Sequence, residues 1–377
     1  MPKVTFAIPC YNMESFLPVA LESCLAQSER DIEILVVDDG STDRSGEIAD
    51  RYSTFDPRIR VIHQPNKGLG SARMVGQTNA TGEYVTWLDA DDFLDIHAAR
   101  DMHGTAIRDG VDAVCGNAVV FSHKTFNSRQ YFYKPGASHL TFATSPKYWK
   151  SKVVWRWIYK LETLNALGVQ HTHFKMGQDV CFNFEVLPRI KSFSQCPNFF
   201  YYFRQEHKPC STSLEVLMEH ELGHFTYCKK ILFEQGLYKP LVKYLQENFF
   251  RDTRKAAIAI GTEQGHWRDR WLELGLEVFD KLDPSWFSDE YLRPEVKCDN
   301  HFVPLAQALC GKDKQKALEI FDSYAFPAKQ LVAAVTGDKS NAFHSWRRKI
   351  KAQFKPLSLK ARFKLRALEK AAAQRLA

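Results

Sequence analysis

Several features are missing from this sequence, and each absence excludes a class of protein. None of the 377 residues lies in a run of 18 apolar residues, so we expect no transmembrane helix. The opening stretch "MPKVTFAIPCYN" lacks the basic, apolar and small-residue sections of a secretory signal. The nine cysteines are scattered singly, with no CxxC pair and no close Cys/His grouping. We therefore expect a cytoplasmic protein with reduced thiols and no zinc site.

The basic charge of the chain is confined to its C-terminal end. Residues 346–377 contain 11 of the 51 Lys and Arg residues and a single acid, Glu369, so this tail carries +10 and the rest of the chain −3. Basic amphipathic helices bind anionic membrane interfaces, and we expect a peripheral membrane contact here. A solvated or disordered end is the main alternative, and nucleic acid is not an expected partner. The proposed apolar stripe consists of Trp346, Ile350, Phe354, Leu359, Phe363 and Ala367.

Strand and helix patterns alternate through the first hundred residues. "KVTFAIPCY", "IEILVVDDG" and "GEYVTWLDADD" are continuous apolar runs, and amphipathic or glycine-started helical stretches lie between them. This alternation predicts an α/β fold, with a mostly parallel Rossmann-like sheet covered by helices on both faces. From residue 214 the chain reads as amphipathic helices. The predicted domains are 1–213 (α/β), 214–345 (helical) and 346–377 (the basic tail).

An acidic cluster follows the strand that begins at Val85. In "VTWLDADDFLD" the residues Asp89, Asp91, Asp92 and Asp95 fall within seven positions. Turn and capping chemistry explains one such cluster alone. Here polar groups also follow the two earlier strands, and ligands of open α/β sheets bind beyond the carboxyl ends of the strands. Clustered carboxylates are compatible when a hard dication neutralises them, and Mg²⁺ and Mn²⁺ prefer oxygen ligands. The cluster therefore predicts a divalent cation site that also holds a nucleoside diphosphate.

Three stretches resemble the family 2 glycosyltransferases with the GT-A fold. They are "AIPCYNMESFLPVALESCLAQSERDIEILVVDDGSTDRSGEIA", "NKGLGSARMVGQTNATGEYVTWLDADDFLD" and "KMGQDVCFNF", and they occur in the order and spacing of that family. The resemblance implies an inverting, metal-dependent transfer of a sugar from a nucleotide-sugar, expected to be UDP-linked. The expected acceptor is a hydroxyl of a glycan or a lipid-linked molecule, as in bacterial surface-polysaccharide synthesis.

The resemblance also implies roles for individual residues. Asp179 is the expected general base, although Gln178 stands where the family usually has an acid. Asp91 is expected to bind Mn²⁺ or Mg²⁺ with help from Asp89, and the sequence leaves open whether Asp92 is a ligand or a cap. His207 is a further candidate metal ligand, beside Arg204 and Ser211 in a segment that closes over the diphosphate in relatives. The residues expected at the nucleotide-sugar are Pro9, Tyr11, Glu14, Asp38, Asp39, Arg73, Asp89 and Ala90.

Two other functions remain as alternatives. A nucleotidyl- or sugar-phosphate transferase would use the same crevice, but it predicts a glycine-rich phosphate loop, and the first strand-to-helix turn, "PCYNMES", has no glycine. A non-catalytic nucleotide-sugar binding module predicts a missing base or a broken acidic motif. This sequence has both a candidate base, Asp179, and an intact acidic motif. Trp155 and Trp157 either stack on an acceptor sugar or belong to the core.

Overall fold

The computed structural model describes residues 1–122, 127–132, 134–149, 152–205, 213–261, 265–292, 301–324, 355–356 and 359–376. The first part of the chain alternates strands and helices, as predicted. Its elements are β1 (Val4–Cys10), α1 (Leu17–Leu25), β2 (Ile32–Asp38), α2 (Ser45–Phe55), β3 (Ile59–His63), α3 (Leu69–Asn79), β4 (Tyr84–Trp87), β5 (Phe93–Leu94), α4 (Ala98–Asp109), β6 (Ala113–Phe121), β7 (Asn127–Phe132), β8 (Ala137–Leu140), β9 (Trp157–Lys160), α5 (Leu161–Leu167), α6 (Gln178–Val186) and β10 (Phe193–Arg204).

One sheet carries all of these strands. Its main path is β7-β6-β9-β4-β1-β2-β3, and β10 pairs with β5, β6 and β8. Strands β3, β2, β1 and β4 are mutually parallel, whereas β9 runs antiparallel to both β4 and β6. The parallel half therefore matches the predicted sheet, and the half built from β6 to β10 is mixed.

Strands β1 and β2 are buried along their whole length, which is why they read as continuous apolar runs rather than alternating ones. Pro9 lies in β1 although proline cannot donate to a sheet ladder. The position is tolerated because the pairing of β1 with β4 ends at Ala7 opposite Trp87, two residues earlier. The end of β1 consequently projects beyond β4 and is free to form one wall of a crevice.

The chain after β10 is helical. A large buried apolar cluster joins this region to the sheet, since it contains Trp87 and Phe182 together with Leu217, Trp271 and Phe321. The predicted boundary at residue 213 stays a prediction. Among the described residues, no helix is long and apolar enough to cross a membrane. The helices of this region include a π-helix (Val216–Leu222), α7 (His224–Glu234), α8 (Tyr238–Tyr244), a second π-helix (Leu245–Phe249), α9 (Phe250–Ile260), α10 (Gly265–Phe279), α11 (Asp289–Leu292) and α12 (Val303–Cys310).

The tail returns to the sheet domain. Lys355–Pro356 pairs antiparallel with β7, and the C-terminal helix (Leu359–Leu376) packs across α1. Its packed face contains Leu368 and Leu376, which contact buried apolar clusters of the sheet domain, and the buried Ala372. Ala367, from the predicted stripe, is exposed. Residues 346–354 of that stripe, and the side chains of Leu359 and Phe363, lie outside the described residues.

Candidate active site

The loops that follow β1 and β2 are joined by hydrogen bonds. Asn12 adopts the left-handed conformation (φ 55°), which asparagine tolerates better than most residues. Its side-chain oxygen accepts the Thr42 N–H at 2.8 Å, and its own N–H donates to the Ser41 hydroxyl at 3.0 Å. Glu14 accepts the Arg44 N–H at 3.1 Å. These contacts place Glu14 at the start of α2 and leave the ring of Tyr11 45% exposed at the end of β1.

Asp38 and Asp39 are both buried, and their carboxylates face different parts of the structure. Asp39 accepts N–H bonds from Gln64 at 2.6 Å, from Lys67 at 2.9 Å and from Gly68 at 2.8 Å. It thereby fixes the loop that enters α3. A carboxylate has roughly four acceptor positions, so the three bonds leave room for one further donor. The expected contact of Asp39 with a nucleotide base stays a prediction.

The other carboxylate, Asp38, bonds to a histidine that the sequence analysis did not select. Its Oδ2 lies 2.9 Å from His63 Nδ1, and His63 Nε2 lies 2.9 Å from the Asp50 carboxylate on α2. The Ser41 N–H donates to Asp38 Oδ1 at 3.0 Å. The bond to Asp38, followed by that to Asp50, raises the pKa of His63. Asp38 therefore ties β2 to β3 and α2 rather than facing the crevice with both oxygens.

Asp92 of the acidic cluster is completely buried. The Tyr201 hydroxyl donates to its Oδ2 at 2.8 Å, and the Arg204 N–H donates to its Oδ1 at 2.7 Å. Tyr201 also accepts the Asp89 N–H at 3.1 Å. Burial, with the nearby Asp91 and Asp89, raises the pKa of Asp92 well above its ordinary value. Asp92 thus links the acidic turn to β10.

Two other carboxylates of the cluster, those of Asp89 and Asp91, face a partly open region. The Asp89 side chain is 26% exposed, and Asp91 is half-buried, while the adjoining Ala90 is buried. In the described part of the chain, no group of three or more His, Cys, Asp and Glu residues could by itself hold a metal ion. Mg²⁺ and Mn²⁺ commonly take one or two carboxylates and fill the remaining positions with water and substrate phosphate. The donor set of Asp89 and Asp91 fits a cation of that kind.

Arg73 joins the acidic turn to α6. It lies on α3, and its side chain is 2% exposed. One terminal nitrogen donates to Asp89 at 3.0 Å, and the other donates to Oδ1 of Asp179. The Val154 N–H donates to Asp179 Oδ2 at 3.2 Å. Asp89, which the sequence places at the donor and the metal, and Asp179, the expected general base, are therefore both bonded to the guanidinium of Arg73.

Asp179 lies in the first turn of α6, whose N-cap is Gly177. Gly177 has a φ of 84°, and a Cβ at this position would lie 2.3 Å from Cγ of His224. The Asp179 carboxylate caps no N–H of its own helix; it points to Arg73 and Val154 and is 18% exposed. Burial raises its pKa, Arg73 opposes that rise, and Asp89 adds to it. A raised pKa makes a carboxylate a better proton acceptor.

The aromatic residues expected on the acceptor side belong to the core. Trp157 is fully buried, and Trp155 is buried and stacks on Tyr201 with ring centroids 4.2 Å apart. Arg204 is buried, and its Nε donates to the Asp91 carbonyl at 2.7 Å. Arg204 therefore stabilises the backbone of the acidic turn. The candidate ligand His207, with Ser211, lies outside the described residues.

Comparison with known families adds an independent observation. The family described as "Glycosyl transferase family 2" matches residues 5–190, the part of the chain that contains the crevice and the candidate residues from Pro9 to Asp179. These residues belong to that family.

Curated relatives carry names consistent with this family. The chain is 30% identical over 217 residues to "Uncharacterized glycosyltransferase EpsJ" of Bacillus subtilis, covering 54% of this chain and 62% of that protein. It is 38% identical over 137 residues to "Glycosyltransferase GlyA" of Streptococcus pneumoniae, covering 36% of this chain and 19% of that protein. The "Cholesterol galactosyltransferase" of Borreliella burgdorferi is 26% identical over 263 residues, covering 66% and 72%. The chain thus covers less than two thirds of the length of EpsJ and of GlyA.

Solved structures show the same fold. The crystal structure of S. aureus TarS 1-349 in complex with UDP-GlcNAc aligns with a TM-score of 0.68 at 19% identity, over 85% of this chain and 91% of that one. The GT-A fold predicted from the sequence, with its helical C-terminal region, is confirmed. The family resemblance identified the acidic motif and Asp179. It did not indicate the pairing of Tyr201 with Asp92, and only the mixed strand and aromatic pattern near residue 200 hinted at an element there.

Proposed function

We propose that this family 2 protein is an inverting, cation-dependent glycosyltransferase. The donor would be a nucleotide-sugar, UDP-linked, and the acceptor a hydroxyl of a glycan or lipid-linked molecule in surface-polysaccharide synthesis. The observation that carries the proposal is that Arg73 bonds to both Asp89 and Asp179, beside the half-buried Asp91, at the edge where β1, β2 and β4 end. The names of the curated relatives and the UDP-GlcNAc complex of TarS support the reaction class and the donor.

Four residues of the crevice have roles in binding the donor. The exposed ring of Tyr11 offers a stacking face for the base, and the remaining acceptor position of Asp39 suits a base N–H. Asp91 and Asp89 would hold Mn²⁺ or Mg²⁺. When bound, the cation neutralises charge that develops on the leaving diphosphate.

Asp179 takes the proton of the acceptor hydroxyl as the oxygen of that hydroxyl attacks the anomeric carbon. The bond from that carbon to the diphosphate oxygen breaks on the opposite side, which inverts the anomeric centre. The raised pKa of Asp179 favours this proton transfer. The same carboxylate is fixed at both oxygens, by Arg73 and by the Val154 N–H. Its remaining lone pairs therefore point in defined directions, as a general base requires.

Donor hydrolysis provides the direct test. UDP-, GDP- and dTDP-sugars would be screened with Mn²⁺, with Mg²⁺ and with a chelator. We expect cation-dependent turnover of a UDP-sugar, abolished by Asp91→Asn. Asp179→Asn should still bind the donor but lose transfer to an added acceptor. If no nucleotide-sugar is bound or turned over with either cation, the proposal is wrong.

A lipid-linked acceptor would place the enzyme at a membrane, and we propose that the basic tail binds an anionic surface. The excess of ten positive charges in 346–377 supports an electrostatic contact. The packing of Leu368, Ala372 and Leu376 onto the sheet domain occupies one apolar face of the C-terminal helix. Flotation with vesicles containing anionic lipid, at low and high salt, tests the contact. Binding that is unchanged after deletion of 346–377 would exclude it.

A further inference from the structure

Arg73 connects two carboxylates of the candidate active site. Its guanidinium is buried, and its two terminal nitrogens bond to carboxylates on different elements: Asp89 after β4, and Asp179 at the start of α6. The guanidinium is planar and rigid, so its two terminal nitrogens hold the two bonded carboxylate oxygens at a fixed separation. A lysine at the same position would offer a point charge with no such geometry.

The backbone of Arg73 is held as firmly as its side chain. The buried indole of Trp87 donates to the Arg73 carbonyl at 3.3 Å. A Cβ at Gly70, one turn earlier on α3, would lie 2.2 Å from the Thr172 carbonyl. Helix α3 is therefore in close contact with the segment that leads into α6. Both ends of the link from Arg73 to Asp179 belong to elements that are packed against one another.

We propose that Arg73 is a positioning residue that sets the orientation of the Asp179 carboxylate and links it to Asp89 of the donor site. This inference rests on the proposed function, because it assigns Asp179 the role of base. Without Arg73, the Asp179 carboxylate would keep one fixed oxygen, through the Val154 N–H, and would rotate about it. A base displaced by about 1 Å costs on the order of 100-fold in rate.

The link is first tested without any substrate, by a double-mutant cycle on stability. In the parent protein, Asp179→Asn should lower the urea midpoint because it weakens the bond to Arg73. In an Arg73→Gln background, Asp179→Asn should raise the midpoint, because there it removes a carboxylate left without its cation. If Arg73→Gln does not fold, Arg73→Met, which also removes the positive charge, serves in its place. Additive effects would overturn the link.

Kinetics then separate positioning from a purely structural role. We expect Arg73→Lys to lower kcat about 100-fold, a larger factor than its effect on the donor KM. In the Asp179→Asn background the same substitution should have no further effect on kcat. A fall of equal size in both backgrounds would show that Arg73 does not act through Asp179, and the inference would be wrong.

Gln77 provides the matched control. It is buried one turn further along α3, where its side chain donates to the Val169 carbonyl at 3.1 Å. Gln77→Met should lower stability while retaining activity, and its effect should add to that of Asp179→Asn. The stability cycle is independent of substrate. Its failure contradicts the inference about Arg73, whereas a parent protein that turns over no nucleotide-sugar contradicts the proposed function.

Discussion

The hydroxyl of Tyr201 donates to the carboxylate of Asp92 at 2.8 Å in the interior of the protein. The same hydroxyl accepts the Asp89 N–H at 3.1 Å. One side chain of β10 therefore satisfies both the buried acid of the acidic turn and the backbone of its first residue. The carboxylates that face the crevice depend on a partner far away in sequence.

Removal of this hydroxyl should disturb the donor site. Tyr201→Phe keeps the ring that stacks on Trp155 but removes the hydroxyl that bonds to Oδ2 of Asp92 and to the Asp89 N–H. We expect a loss of about 1–3 kcal/mol in the free energy of unfolding, measured by urea denaturation. Cation-dependent binding of UDP, measured by calorimetry, should weaken as well.

A second buried tyrosine gives the control for that experiment. The Tyr84 hydroxyl donates to the Val111 carbonyl at 3.0 Å, away from the acidic turn. Tyr84→Phe should lower stability by about 1 kcal/mol and leave UDP binding unchanged. If Tyr201→Phe binds UDP as the parent does, Tyr201 supports the fold only.

The sequence predicted the elements whose signals are local. Strands β1, β2 and β4 follow from continuous apolar runs, and the acidic motif follows from its position after β4. The pairs that build the site are not local: Tyr201 and Asp92 lie 109 residues apart, and Arg73 and Asp179 lie 106 apart. Periodicity reports which face of an element is buried but not which side chain covers it.

The C-terminal helix illustrates the same limit. Its sequence predicted an apolar stripe through Leu359, Phe363 and Ala367, directed toward a membrane. In the structure Ala367 is exposed, and Leu368 lies against the sheet domain instead. An amphipathic pattern indicates that the apolar face of a helix is buried against another surface. Here that surface is the sheet domain of the same chain.

The stability of the protein should depend on the protonation of His63. Its ring contacts Asp38 and Asp50, which raise its pKa. A histidine whose pKa is higher in the folded state binds its proton more tightly there. Its contribution is therefore complete below the unfolded pKa of about 6.5 and is lost as pH rises through the folded value.

The prediction is checked with urea titrations from pH 6 to pH 9. His63→Gln should be less stable than the parent at pH 6, and the difference should shrink toward pH 9. A His63→Gln difference that does not vary with pH would contradict the assignment.

The start of α6 should tolerate no side chain at residue 177. Gly177→Ala places a Cβ 2.3 Å from the buried ring of His224 and keeps a positive φ. Gly168→Ala meets the same conformational strain at a φ of 64°, but with nothing within 4 Å. Strain alone costs about 1–2 kcal/mol. We expect Gly177→Ala to exceed that loss in urea denaturation and to reduce sugar transfer, while Gly168→Ala retains transfer. Equal losses of stability would show that His224 moves aside freely.

The contact between Arg375 and Glu22 ties the C-terminal helix to the sheet domain. Glu22 is buried on α1, and its Oε1 accepts Arg375 Nε at 2.7 Å and the Tyr52 hydroxyl at 3.0 Å. Arg375→Met would leave a buried carboxylate with only the tyrosine, and we expect a loss of about 1–3 kcal/mol. Adding Glu22→Gln should restore much of that loss, because it removes the uncompensated charge. Lys370→Met, at an exposed position of the same helix, should have little effect. If Glu22→Gln lowers stability equally in the parent and in Arg375→Met, the ion pair does not hold the helix in place.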